Sequence, residues 1–314
     1  MTDVTKGTLK VITGRRLISL GLQVEWDAST DPEKNTFVDA NEEEIVSFID
    51  AESFNNTFDA SFDKWAPDVA WSATVQGVVD RLIDATILEL DSIQTLVNRG
   101  VTNGWWVLLD EIYSFSLSGS NNLAGFKIVT PTNSGATFDI NGATFAGGQH
   151  IKSGYIPSVD GVKYTLNDAM GGVYIFDNEP TQNTKQFLGG FGVTGERLTL
   201  FYQNNPQVSG NINDLGQPNL AGDPTGNLLA MRRENAAGKA WVRDGVEESD
   251  DSSSAVGVPN VEMYIGARNN NGTADIPWTG TISIAFFGAG ATFPHSDFNT
   301  DIRNYLTNLG MTLP

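Results

Sequence analysis

From Trp105 onward the chain is punctuated by clusters that no helix interior tolerates. Ser118-Gly119-Ser120-Asn121-Asn122, Asn133-Ser134-Gly135, Asn204-Asn205-Pro206 and Asn269-Asn270-Asn271-Gly272 recur between short apolar runs. Runs of that length, separated by residues that accept left-handed backbone or lack a ladder donor, give strands joined by turns. Trp241-Val242-Arg243-Asp244-Gly245-Val246 sets Asp-Gly between strand-like residues, the chemistry of a tight hairpin whose central residues have positive φ. Ile282, Ile284 and Phe286 alternate as in a strand with one buried face. Residues 104–314 are therefore expected to fold as an antiparallel β-sandwich. A short helix over Asn299–Leu309, with Ile302, Tyr305, Leu306 and Leu309 on one side, closes the chain.

The residues before this region follow another period. Val79, Leu82, Ile83, Ile87, Leu90, Ile93 and Val97 share one helical face, which predicts a single long amphipathic helix from Val75 to Arg99 with Gly100 as its stop. Ile83, Ile87, Leu90, Gln94 and Val97 also step by four and three, so a seam in a homo-oligomer is an alternative to packing within the chain. Residues 1–74 are mixed. Leu9, Val11, Leu17, Ile18, Leu20, Leu22 and Val24 suggest a strand pair broken near Gly14, and Asn41 caps a short helix with Glu42, Glu43 and Glu44 at its positive end. Phe54, Phe58, Phe62, Trp65 and Trp71 supply either a core or a docking face. Three segments result: a small α+β attachment region over 1–74, a connecting helix over 75–103 and the sandwich over 104–314.

Charge and composition exclude several partners. Nineteen basic residues against 38 acidic ones leave a net charge of -19, which repels duplex nucleic acid and anionic membranes. The absence of cysteine rules out disulfides, thiolate metal sites and a cysteine nucleophile. The N-terminus lacks a basic start followed by an apolar run, and no stretch approaches the roughly 20 apolar residues of a spanning helix. Synthesis in a cytoplasm, with no membrane partner, is expected.

Catalytic patterns begin and do not finish. A glucanase sandwich needs Glu-x-Asp-x-Glu, or one residue more, because alternation sets carboxylates on one face about 5–5.5 Å apart. Glu25-Trp26-Asp27, Glu89-Leu90-Asp91 and Glu248-Ser249-Asp250 start it, but the later positions hold Ser29 or Thr30, Ile93 or Gln94, and Ser252 or Ser253. His150 and His295 each stand alone, without the second imidazole that zinc sites favour. Neither a Gly-x-Ser-x-Gly elbow nor a Walker loop occurs. The chain is therefore expected not to be an enzyme, with no catalytic residue, resident metal or cofactor.

Three further segments carry alternatives. Gly171-Gly172 and Gly189-Gly190-Phe191-Gly192 lie in β-like runs and mark bulges or close strand packing rather than a phosphate loop. The acidic run Glu247-Glu248-Ser249-Asp250-Asp251-Ser252-Ser253-Ser254 is either a solvated loop or a calcium site. Asn269, Asn270, Asn271 and Asp275, with Trp278 nearby, are glycan-binding candidates: amides and a carboxylate bond sugar hydroxyls, and an indole stacks on a pyranose face. The same asparagines also suit a left-handed turn, and Trp278 precedes a strand that enters the core.

Several stretches together carry a family resemblance. They are Asn103-Gly104-Trp105-Trp106 with Leu109-Asp110-Glu111-Ile112-Tyr113, Gly154-Tyr155-Ile156-Pro157-Ser158, Tyr164-Thr165-Leu166-Asn167-Asp168, Met263 through Ala274, and Ile284-Ala285-Phe286-Phe287-Gly288. Through them Trp105–Leu309 resembles the concanavalin-like or laminin-G-like lectin and glucanase superfamily, and more closely modules of Bacteroidetes genomes and their phages. The resemblance implies a concanavalin-like jelly-roll sandwich in a bacteriophage virion protein, as a head decoration or a tail or fibre component. Its implied partners are other virion proteins and host-surface polysaccharide. A soluble bacterial carbohydrate-binding module is the alternative it allows, and a glycoside hydrolase a third.

Overall fold

The computed structural model describes residues 72–82, 85–127, 129–178, 184–204 and 207–314. The chain divides into two compact units, Met1–Ser72 and Ala73–Pro314. The strand pair, the Asn41-capped helix and the aromatic cluster expected in the first unit lie outside the described residues.

The second unit opens with two helices, α1 (Ala73–Val79) and α2 (Ile87–Thr102), where one long helix was expected. The cause is local. The Thr86 hydroxyl accepts from the Glu89 N–H, and the Glu89 carboxylate accepts from the Thr86 N–H. That reciprocal capping box starts a new helix at Ile87. Nor is Gly100 a stop, since α2 runs on to Thr102. A Cβ at Gly100 would lie 2.6 Å from the Trp105 ring, so the glycine is there to let the indole pack against the helix. Among the described residues no helix is long and apolar enough to cross a membrane.

The strands follow as β1 (Leu109–Ser114), β2 (Thr132–Ser134), β3 (Thr137–Asp139), β4 (Gly142–Phe145), β5 (His150–Lys152) and β6 (Ala169–Asn178). Next come β7 (Lys185–Phe191), β8 (Arg197–Asn204), β9 (Gln207–Ile212), β10 (Asn219–Ala221), β11 (Asn227–Arg233) and β12 (Gly238–Arg243). The last are β13 (Val246–Ser252), β14 (Tyr264–Ile265), β15 (Arg268–Asn270), β16 (Thr273–Asp275) and β17 (Gly280–Gly288), before the helix α3 (His295–Asn308).

They build two sheets. The first runs β13-β12-β11-β6-β17-β4-β3, with β1 beside the C-terminal half of β17. The second runs β10-β9-β8-β7-β14-β5-β2, with the β15–β16 hairpin attached to β7. The strand pairs are antiparallel, apart from a two-residue parallel join of β15 to β7. The molecule is thus mainly β, as expected. Its core lies between the sheets: Val173, Ile175, Leu229, Met231, Trp241, Ile282, Ala285 and Phe287 of the first meet Phe187, Leu188, Leu198, Leu200, Tyr202, Val208 and Ile212 of the second. Each large apolar side chain so buried contributes about 1.5–3 kcal/mol.

The hairpin expected at Asp244-Gly245 joins β12 to β13, with φ of 49° and 84° at its two central residues. The acidic run after it is no loop: its first residues form β13, at the edge of the first sheet. Carboxylates along an edge deter pairing with another chain, which gives the run a structural purpose. Among the described residues no group of three His, Asp or Glu side chains could hold a metal ion. The glycine pair at 171–172 serves close packing. A Cβ there would lie 2.5 Å from Leu198 or 2.4 Å from Phe286.

The alternation expected of Ile282, Ile284 and Phe286 is broken by register shifts between Thr281 and Ile284. As a result Ile282, Ala285 and Phe287 enter the core, while Phe286 meets Phe298 of α3 on the other side, ring centroids 4.8 Å apart. α3 therefore roofs the first sheet. The Tyr305 hydroxyl donates to Ser114 Oγ of β1 at 2.9 Å. Buried Asp301 then ties α3 to α2, accepting from Trp105 Nε1 at 2.9 Å, Asn103 Nδ2 at 2.8 Å and Arg99 Nη1 at 3.3 Å.

Candidate functional site

The outer side of the second sheet is finished with aromatic, cationic and amide groups. Along β8, Leu198, Leu200 and Tyr202 point into the core, so alternation turns Arg197 and Thr199 outward. Phe191 of β7 pairs directly with Arg197 and shares its face, and Asn270 of β15 pairs with Phe191 from the other side. Three chain segments thereby converge at one end of the sheet. The Arg197 and Arg268 guanidinium carbons lie 5.3 and 5.6 Å from the Phe191 ring centroid, within cation–π range.

The two arginines are held differently. Arg268 donates from Nε and Nη2 to the two Asp275 oxygens at 2.8 and 2.7 Å, a fork across the β15–β16 hairpin. Asn270 Nδ2 adds a bond to Asp275 Oδ2 at 3.1 Å. Arg197 instead donates from Nε to the Asp214 backbone carbonyl at 3.1 Å. Burial pulls its pKa below the ordinary guanidinium value, the Asp214 carboxylate opposes that, and Arg268 adds to it.

Asp214 is a firm anchor for that bond. Its carboxylate is fully buried between Arg233 and Lys239, with Lys239 Nζ at 2.8 Å, and it also accepts from Ser253 Oγ. A buried pair of this kind is hard to break, because removing one member strands the other. Farther along the same face, the His150 ring stacks on Tyr264 at 4.8 Å and Lys152 Nζ lies 5.9 Å from that ring. Burial lowers the His150 pKa. A separate concavity of about 340 Å³, between the start of α2 and the β3–β4 turn, is lined by Leu88, Glu89, Ser116, Leu117, Phe138 and Ile140 among others.

The glycan candidates fall into distinct positions. Asn271-Gly272 forms the tip of the β15–β16 hairpin, with φ of 50° and 94°, and both residues are exposed. Asn270 is exposed and Asp275 partly so, and both belong to the arginine cluster. Asn269 is buried and spent on structure: its amide donates to the Glu262 carbonyl at 2.8 Å and accepts from the Gly272 N–H at 2.6 Å. Trp278 is 0% exposed and packs edge-on to Phe187, centroids 5.5 Å apart, so it offers no face on which a sugar can stack. The aromatic ring beside the hairpin is Phe191. Sequence reasoning took its segment for the glycines and passed over Phe191, Arg197 and Arg268. Only an aromatic and a basic residue flanking the turn Gly192–Glu196 hinted at them.

No family model matches the chain, and no curated protein matches it. Similar solved structures include a mutant of Trypanosoma rangeli sialidase displaying trans-sialidase activity, at 13% identity and a TM-score of 0.49, over 69% of this chain and 39% of that one. NanB sialidase from Streptococcus pneumoniae is similar at 12% identity and a TM-score of 0.34, over 42% and 24%. The CBM40 of the Ruminococcus gnavus IT-sialidase, bound to alpha2,3 sialyllactose, is similar at 16% identity and a TM-score of 0.31, over 40% and 76%. The chain spans about two fifths of the length of the first of these sialidases. Sequence reasoning expected no enzymatic activity; the similar structures are sialidases, and that expectation is corrected and withdrawn.

Proposed function

We propose that residues 104–314 are a carbohydrate-recognition module of the concanavalin-like kind, with the Phe191 end of the second sheet as its sugar-contacting surface. The observation that carries this reading is the partly exposed Phe191 ring under two guanidinium groups, beside a hairpin tip that presents Asn270, Asn271 and Thr273 to solvent. A pyranose offers a C–H face for the ring and hydroxyls for the amides and guanidinium N–H groups. The test is a glycan array followed by titration calorimetry with the full chain. Phe191→Ala is expected to weaken the best ligand about tenfold, the effect of losing one stacking contact of 1–2 kcal/mol, with an unchanged circular dichroism spectrum. Reducing-sugar release, followed in the same incubations, reads whether a bound glycan is also cleaved. An array without signal, or equal affinity of the Phe191→Ala protein, would sink the proposal.

The carrier we propose for this module is a bacteriophage particle, with other virion proteins and host-surface polysaccharide as partners. That part rests on the sequence resemblance alone and has no support among the structural neighbours. Immunogold labelling of purified particles checks it, and clean particles would promote a free bacterial module instead.

A further inference from the structure

Among the described residues Arg197, like Arg81 and Lys127, bonds backbone carbonyls and no carboxylate, but it is the one of the three that lies over the Phe191 ring. From Arg99 onward, the other described arginines each have a carboxylate oxygen within 4.0 Å: Arg99 at Asp301, Arg232 at Glu234 and Glu247, Arg233 at Asp214, Arg243 at Glu248, Arg268 at Asp275 and Arg303 at Asp244. Arg197 has none among the described residues, and its one hydrogen bond goes from Nε to a backbone carbonyl. With 38 acidic residues in the chain, carboxylates are not scarce, so the missing partner is a property of the position. The Nε bond fixes the plane of the guanidinium, and among the described residues neither Nη group makes a hydrogen bond. The carboxylate that acts on it, Asp214, is already paired with Arg233 and Lys239, so the lost hydration of this partly buried guanidinium is only partly offset.

We infer that the sugar bound at this end of the sheet is acidic, and that its carboxylate is taken by the two Nη groups of Arg197. This rests on the carbohydrate reading above and narrows it to one class. A planar carboxylate matches the guanidinium fork in length and spacing, which neutral hydroxyls do not. Phe191 then supports the ring that carries the carboxylate. The neighbouring Asp275 does not oppose it, because Arg268 and Asn270 already bond both of its oxygens. The net charge of -19 repels anions at long range, so selection for the acid comes from these short contacts and not from the mean field.

Titration calorimetry of the full chain with paired ligands tests the assignment. The probes are galacturonate oligosaccharide and its methyl ester, sialyllactose and lactose, and galactose 6-sulfate. The ester keeps ring and hydroxyls and loses the charge. It is expected to bind at least about tenfold more weakly than the free acid, the difference a charge-assisted bond makes, and this comparison needs no altered protein. Arg197→Gln should abolish the preference for acid over ester, weakening the acid far more than the ester. Comparing galacturonate with sialyllactose tells whether the carboxylate sits on a hexuronic or a nonulosonic ring. Equal affinity for acid and ester, or for carboxylated and sulfated sugars, would overturn the inference and leave the broader reading standing. If no sugar binds, both fall.

Discussion

The two sheets bury their inner faces in one core but finish their outer faces differently: the first packs against α3, and the second, though Thr199, Ser209 and Tyr264 are buried on it, keeps a partly exposed aromatic and cationic end. Phe286 of β17 meets Phe298 of α3, and Ser114 of β1 bonds Tyr305. On the second sheet the corresponding outward positions hold Phe191, Arg197, Tyr264 and Lys152. Stability requires only the shared core, so the outer faces are free to differ. A roof of helix turns one face into a second core, while the other keeps a partly exposed aromatic ring and two cations at its Phe191 end. The position of the candidate site follows from that asymmetry.

If the comparison is right, damage to the roofed side should appear in stability and damage to the other in binding. Phe298→Ala removes a ring packed on Phe286, Trp105 and Phe293. It should cost about 3–5 kcal/mol in urea denaturation, with glycan affinity unchanged while the protein stays folded. Trp278→Ala should cost about as much for the same reason, whereas Phe191→Ala should change stability by less than about 1 kcal/mol and act on affinity. Equal destabilisation by the two would erase the distinction between a core ring and a site ring.

Acid offers a third test. Burial, helped by Arg232, pushes the His295 pKa down to about 4 at the start of α3. The folded state then refuses a proton that the unfolded chain accepts near pH 6.5. The neutral ring contributes fully above pH 6.5, and stability is lost as pH falls from 6.5 toward 4, by about 2–3 kcal/mol from this group. His295→Gln should flatten that part of the profile in chemical denaturation between pH 7 and 4.5. The smallest expected effect is that of Asp275→Asn. With side chains 22% and 30% exposed, the Arg268–Asp275 pair should be worth no more than about 1 kcal/mol of stability. The change also leaves Arg268 without its counter-charge, and acidic sugars should bind a few-fold more tightly by calorimetry. Weaker binding would mean that Asp275 itself contacts the ligand.

What was legible in the chain was local. Asp244-Gly245 could be read as a hairpin because two consecutive positive φ angles demand such residues. The C-terminal helix was also visible, though it begins at His295 and not at Asn299. Thr86 and Glu89 spelled a capping box, yet the apolar period running through them suggested continuity and hid the break between α1 and α2. Asn270 and Asp275 were found because a hairpin tip is a local motif. Phe191, Arg197 and Arg268 meet through the registers of β7 with β8 and of β15 with β7, which no short window determines. Trp278 was misplaced for a related reason: an indole near a loop has the same letters whether its ring faces solvent or Phe187.

Arg197 takes its direction from a main-chain oxygen of residue 214 and not from a side chain. A carbonyl has no residue identity, so sequence drift cannot delete it; only a shift of the backbone can. At the hairpin tip the positive φ of Asn271 and Gly272 restricts those two residues, while the exposed side chain of Thr273 beside them is under no such constraint. Ligand preference in such a protein can diversify at the tip while the cation keeps its aim, an inheritance that separates what varies from what must hold still.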